Sequence, residues 1–177
     1  MLDGSGAAAT PPRILHVGCG GAPLPGWLSG EEVRLDIDPQ HKPDIVASMV
    51  DLPDDIGQFT AVYSSHSLEH LYLHEVHRAL RGFHRVLVPN GICIAIVPDL
   101  QDIKPTEDVV YESPAGPITG LDMIYGARWL IEAQPPMAHH YGFTKPIMVR
   151  EMERVGFKAH AIRSGGYNLI GIGEKVV

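Results

Sequence analysis

The chain has 177 residues, 45% of them hydrophobic and 20% charged, with a formal net charge of −7. That length serves one core and is short for two ordinary domains, and the acidic balance argues against non-specific nucleic-acid binding, which relies on clustered Lys and Arg. The two cysteines, Cys19 and Cys93, suggest no disulfide framework, and no apolar run nears the roughly 18 residues of a membrane span, so a soluble protein of the reducing cytoplasm is expected.

Residues 1–12, MLDGSGAAATPP, lack the basic start and apolar run of a signal peptide and read as a flexible leader stopped by its prolines. A first strand at 13–17 runs into the turn Gly18-Cys19-Gly20-Gly21, and a second at 33–37 carries Asp36, with Asp38 just beyond it. Glycines let a backbone approach a ligand with no Cβ in the way. Asp36 or Asp38 then offers two oxygens to a pair of ribose hydroxyls, as when a doubly wound sheet holds an adenosine-bearing cofactor at the carboxyl ends of its strands. A dinucleotide fingerprint needs glycine where Pro23 stands and a helix N-terminus to meet a pyrophosphate. Pro23, Pro25 and Gly26 deny it that helix, which points to a cofactor without phosphates.

Short strands follow at 44–47 and 59–64. The stripe Leu73, Val76, Leu80, Phe83, Leu87 then marks an amphipathic helix. Pro89-Asn90-Gly91 reads as a turn before a strand at 92–97, apolar throughout as a central strand covered on both faces would be. Strand, helix, strand in this order implies a right-handed parallel crossover. Residues 98–143 form a proline-rich excursion with one helical stretch at 121–131, opened by a Thr119–Asp122 capping box. So long an irregular segment is usually functional, and a lid is the expectation. A helix at 145–155, begun at Thr144 and stopped by Gly156, leads to strands at 157–163 and 168–173. Their short link demands an antiparallel hairpin.

Particular motifs carry a family resemblance. ILHVGCG at 14–20 resembles the first motif of class I S-adenosylmethionine-dependent methyltransferases, and LDIDP at 35–39 resembles the second. AVYSSHSLEHL at 61–71 is similar to their strand-four segment, and RVLVPNG at 85–91 to the approach to strand five. HHYGF at 139–143 and REMERVGF at 150–157 resemble small predicted bacterial members. The likeness covers nearly the whole chain after Pro12. It implies an α/β, Rossmann-like doubly wound sheet, mostly parallel with an antiparallel C-terminal hairpin strand, as one domain over 13–177. It also implies S-adenosylmethionine as cofactor and methyl transfer to a small-molecule or sugar-type acceptor.

Carried onto this chain, the resemblance implies that Gly18, Cys19 and Gly20 line the methionine half of the cofactor. Asp36 would hold the ribose, Ile37 would lie against the adenine, and Ser48 and Met49 would flank it. Ser64, Ser65 and His66 would face the sulfonium and the acceptor. His16 stands where the family commonly has an acid near the methionyl amino group, and Ser48 where many members have one near adenine N6, with Asp51 close enough to substitute. These departures motivate an alternative, a non-catalytic nucleoside-binding module or partner subunit.

His66, His70, His74 and His77 are spaced 4, 4 and 3, as metal ligands sharing a helix face would be. Two of them belong to the family-like segment and the others to a solvent-facing side, so no metal is expected. His66, His70, His139 and His140 are the candidate catalytic bases for a hydroxyl acceptor, His139 or His140 first, since an unperturbed imidazole titrates at about 6.5; an amine acceptor needs only a polar clamp. Tyr111, Tyr125, Trp129 and Tyr141 lie in the excursion. A satellite core is expected for Trp129, and a pocket wall for some of the others. The excursion, a second copy in a homodimer, or another protein would close the site. No nucleic-acid or membrane partner is expected.

Overall fold

Alternating apolar residues set the architecture: one set of side chains from each strand meets the helices and the other set turns away. The computed structural model describes residues 11–113 and 116–177; residues 1–10 of the expected leader lie outside them. In chain order the elements are β1 (Arg13–Val17), β2 (Glu31–Asp36), β3 (Ile45–Val46), β4 (Phe59–Ser65), α1 (Leu73–Val86) and β5 (Leu87–Pro98). The excursion contributes β6 (Val109–Ser113), β7 (Gly116–Thr119), α2 (Gly120–Tyr125) and α3 (Arg128–Ile131). α4 (Lys145–Arg154), β8 (Phe157–Ser164) and β9 (Asn168–Lys175) complete the fold. The main sheet runs β3-β2-β1-β4-β5-β9-β8, and β9 alone opposes the direction of the other six. The expected doubly wound, mostly parallel α/β sheet with an antiparallel C-terminal strand is what the chain forms. No helix of the described residues is long and apolar enough to cross a membrane.

The main core lies between the sheet and the helices α1 and α4. Val76, Ala79, Leu80 and Phe83 of α1, with Met148 and Met152 of α4, are fully buried in one cluster with Leu15, Val17, Val62, Cys93, Ala95 and Val97. The opposite face carries a thinner cluster of Ile14, Ala61 and Tyr63, backed by Leu24 and Leu28. β5 is therefore asymmetric rather than covered equally on both sides: Cys93, Ala95 and Val97 are buried, Ile94 and Ile96 are half-buried, and Ile92 is exposed.

Close packing explains two glycines of β9. A Cβ on Gly171 would lie 2.5 Å from Met148 Cγ and 2.6 Å from its sulfur, and one on Gly173 would press on Phe157. Gly171→Val is expected to cost about 1–3 kcal/mol by overpacking the α4–β9 contact. Urea unfolding at neutral pH measures this, and an unchanged midpoint would mean that α4 stands off the sheet.

Local readings differ in four places. Pro89-Asn90-Gly91 is a bulge inside β5, where the pairing jumps from Phe59↔Leu87 to Ala61↔Ile92 and Asn90 takes φ +62°. The helix expected at 121–131 is two pieces, because Gly126 at φ +92° brings the chain against Met137 O, where a Cβ would clash. The β6–β7 hairpin was not legible: its strands are short and one contains Pro117. Trp129 is about half exposed and so forms no satellite core.

Candidate cofactor cleft and acceptor cavity

β1 delivers the chain into its glycine turn, where Gly18 and Gly20 take φ +62° and +49°. The Gly18 and Cys19 N–H groups both donate to Leu35 O, at 2.9 and 3.3 Å. Asp36, at the end of β2, accepts from Gly20 N–H through Oδ2 (2.8 Å) and from Asp38 N–H through Oδ1 (2.9 Å). Each carboxylate oxygen has a second lone pair, so capacity remains for a ligand. Arg34 donates to Gly20 O (2.7 Å) and Ala22 O (2.9 Å), bracing the turn.

A Cβ on Gly18 would overlap Ser67 Oγ and stand 3.5 Å from Met49 Cε, whereas one on Gly20 would meet nothing within 4 Å. The turn thus touches the segments after β3 and β4 and opens to solvent at Gly20. Ile37 is exposed beside Asp36, Met49 is half-buried, and Ser48 Oγ accepts from Val50 N–H (3.2 Å). Ser64 is buried and its Oγ has no hydrogen-bond partner among the described residues. Ser65 accepts the Ser67 hydroxyl through its backbone oxygen (3.1 Å). Cys19 is buried with its thiol pushed up, chiefly by burial. His16 is buried within the sheet, its Nδ1 2.7 Å from Glu32 Oε1 and its ring edge-on to Tyr63.

Beyond β4 the chain turns at His66, whose φ is +51° and whose N–H donates to Ile96 O (2.8 Å). A single 3₁₀ turn, Leu68–His70, follows. Glu69 in that turn is 2% exposed, and its backbone oxygen accepts from His140 N–H (2.8 Å) and Tyr141 N–H (3.2 Å). That pairing brings the end of the excursion onto the 3₁₀ turn. Leu100 N–H, donating to Phe143 O at 2.9 Å, ties the two feet of the excursion together.

Between these parts lies a cavity of about 170 Å³ whose lining includes His66, Glu69, His70, Asp122, Met123 and His139. Asp122 is already engaged by Arg128 Nε (2.8 Å) and by its capping box with Thr119. Burial would raise its carboxyl, but Arg128 and Thr119 outweigh that and hold it below the ordinary range. His66 Nδ1 stands 3.3 Å from Glu69 Oε1. Burial acts to lower that imidazole, yet the Glu69 carboxylate dominates and raises it. His139 is lowered, mainly by burial. Its Nδ1–H donates to Met123 O (3.1 Å), and the Nδ1–H of His70 donates to Ala138 O (3.2 Å). His140 is exposed and stacks on Tyr72 with ring centroids 4.2 Å apart, so it does not line the cavity.

Of the four candidate bases, then, the cavity takes His66, His70 and His139. Glu69, Asp122 and Met123 were not singled out as site residues in the sequence. For Glu69 the available signal was an acid set between two histidines in HSLEH.

Residues 15–95 match the model of a family described as a methyltransferase domain, the span from β1 to the middle of β5. Over that span the chain is similar to a methyltransferase domain, and its fold is that of the S-adenosylmethionine-dependent methyltransferases. Solved structures agree in fold. An S-adenosylmethionine-dependent methyltransferase from Mesorhizobium loti superposes with a TM-score of 0.65 at 16% identity, over 92% of this chain and 90% of that one. A TehB-like methyltransferase from Corynebacterium glutamicum gives 0.56 at 18% identity, over 93% and 80%. The 1,6-didemethyltoxoflavin-N1-methyltransferase of Burkholderia thailandensis, solved with that substrate and S-adenosylhomocysteine, gives 0.60 at 13% identity, over 94% and 72%. No curated protein matches the sequence.

The methyltransferase-domain match, and neighbours solved with S-adenosylhomocysteine, support S-adenosylmethionine as the cofactor of this chain. Its cleft residues fit that group: open space at Gly20, spare acceptor capacity on Asp36, and the unpartnered hydroxyl of buried Ser64.

Proposed function

We propose that this methyltransferase methylates a hydroxyl oxygen of a small acceptor held in the cavity between the 3₁₀ turn and the excursion. The observation that carries the reading is the close packing of Gly18 on Ser67. It makes the cofactor turn and the segment that delivers His66 to the cavity one packed unit.

When bound, S-adenosylmethionine supplies a methyl group that leaves the sulfonium sulfur as the new O–C bond forms. The backbone of Gly18, Cys19 and Gly20 holds its methionine half, and the free lone pairs of Asp36 take the ribose hydroxyls. Ile37, Ser48 and Met49 border the adenine, and Ser64 and Ser65 line the way to the acceptor. His16, paired with Glu32, supports the strand beneath the turn. His66 Nε2 takes the acceptor's proton, because Nδ1 is directed at Glu69 Oε1. An amine acceptor would not need that oriented base, which is why oxygen is favoured. The excursion excludes water, and alignment contributes about 7–11 kcal/mol to the rate. The cavity, about 170 Å³, is smaller than the ~300–1,000 Å³ typical of sites for drug-sized ligands, which supports a small acceptor or a small reacting portion of one.

Calorimetric titration with S-adenosylhomocysteine and with NAD tests the cofactor half. Binding of the first and silence from the second are expected. Asp36→Ala removes a charged acceptor worth about 1.5–3 kcal/mol, so its affinity should drop roughly 10- to 150-fold. Unchanged affinity in Asp36→Ala would overturn the placement of the ribose. Wild-type protein that binds neither methionine cofactor would leave the non-catalytic module as the better reading.

A further inference from the structure

We propose that Glu69, His70 and His139 bind a divalent transition-metal cation of the zinc class in the wall of the acceptor cavity. One nitrogen from each imidazole and a carboxylate oxygen of Glu69 lie within 4.8 Å of one another. A tetrahedral cation with bonds of about 2.0–2.2 Å sets its donors roughly 3.4 Å apart. Closing the cluster therefore takes side-chain movements on the order of 1 Å.

Two further observations point to a ligand. Glu69 is buried, yet its Oε2 has no hydrogen-bond partner among the described residues, while Oε1 faces His66. A buried carboxylate oxygen left unpaired is costly, and a cation on that oxygen relieves the cost. The second observation concerns both imidazoles. His70 and His139 each donate Nδ1–H to a backbone carbonyl, of Ala138 and Met123. A carbonyl only accepts, so each ring carries its proton on Nδ1 and leaves Nε2 as a bare donor. This is the outer-shell arrangement that fixes the tautomer of metal-binding histidines.

Two imidazoles and one carboxylate suit a borderline divalent cation and leave a position open. That position belongs to the cavity, where an acceptor hydroxyl could coordinate and lose its proton more readily. His66 would then receive the proton. This role deepens the methyltransferase reading and rests on it; the binding of the cation does not. The four-histidine helical face of the sequence is not the site, because His77 pairs with Glu151 and His74 stacks on Tyr72.

The test uses untagged full-length protein, stripped with chelator and titrated with ZnCl2 by calorimetry and with CoCl2 by visible absorption. One saturable equivalent with a tetrahedral cobalt spectrum is expected. Glu69→Gln, His70→Ala and His139→Ala should each bind at least about 100-fold more weakly, since outer-shell partners alone are worth 10–100-fold. His74→Ala and His140→Ala should bind as wild type does. Thermal melts identify any variant that fails to fold, and the half-buried positions 70 and 139 keep the test open if Glu69→Gln is lost. Absence of one-equivalent binding overturns the proposal, as does binding indifferent to both His70→Ala and His139→Ala. S-adenosylhomocysteine titrated in parallel separates the two readings: cation binding without it would sink the methyltransferase role and leave the cation site standing.

Discussion

Gly18→Ala is expected to weaken S-adenosylhomocysteine binding at least about 100-fold and to lower stability by about 1–3 kcal/mol. Gly18 sits at φ +62°, where any L side chain is strained by about 1–2 kcal/mol. The added Cβ would also overlap Ser67 Oγ and stand 2.9 Å from Ser67 Cβ. The turn has little freedom to retreat. Gly18 and Cys19 are anchored on Leu35 O, and Arg34 and Asp36 hold Gly20 from two sides. A shift that relieved the overlap would therefore drag the Asp36 contacts with it. Adding Ser67→Gly should restore part of the affinity, because it removes the overlap and leaves the backbone strain. Calorimetry on the single and double variants reads both components. Wild-type affinity in Gly18→Ala would remove the turn from the cofactor site.

Glu151→Ala should cost about 2–4 kcal/mol in urea unfolding at neutral pH. Glu151 lies on α4 and is 1% exposed, yet it accepts from Arg150 (2.5 and 2.9 Å), His77 (2.6 Å) and Tyr141 (3.1 Å). It thereby joins α4 to α1 and to the end of the excursion. Hydrogen bonds to charged groups are worth about 1.5–3 kcal/mol each. Arg150, whose side chain is 57% exposed, is rehydrated once the carboxylate is gone. The loss therefore falls short of that for stranding a fully buried cation, which reaches about 3–5 kcal/mol.

The same carboxylate gives a pH signature. Burial would raise Glu151, but donors from Arg150, His77 and Tyr141 prevail and hold its folded pKa below the ordinary value. A depressed carboxylate contributes fully above its unfolded pKa of about 4.3 and loses that contribution as pH falls through the folded value. The stability gap between wild type and Glu151→Gln should therefore be flat from about pH 8 to 5 and narrow below about 4.3. A gap that widens in acid would show that the ionised carboxylate is not what joins these elements.

Within single elements the sequence was a good guide, because local periodicity decides which side chains share a face. The α1 stripe, the positions of β1 and β4, the C-terminal hairpin and the Thr119–Asp122 capping box all follow from spacing and turn chemistry. So does the pairing of a glycine turn with Asp36, since parallel β1 and β2 must bring their ends together.

The cavity beside Glu69 was decided elsewhere. His66, His70, His74 and His77 have a helical spacing, but Leu71 and Tyr72 are extended, and α1 starts only at Leu73. That break sends His70 toward His139, His77 toward Glu151, and His74 onto Tyr72 beside His140. These meetings cross as many as 74 residues and depend on how the excursion packs back onto Glu69. By itself the sequence determined the glycine turn, the acid beside it and the succession of strands and helices along the chain. Only the tertiary structure decided which histidines share a cavity and which carboxylate stands among them, because contacts so distant in the chain are set by packing rather than by local periodicity.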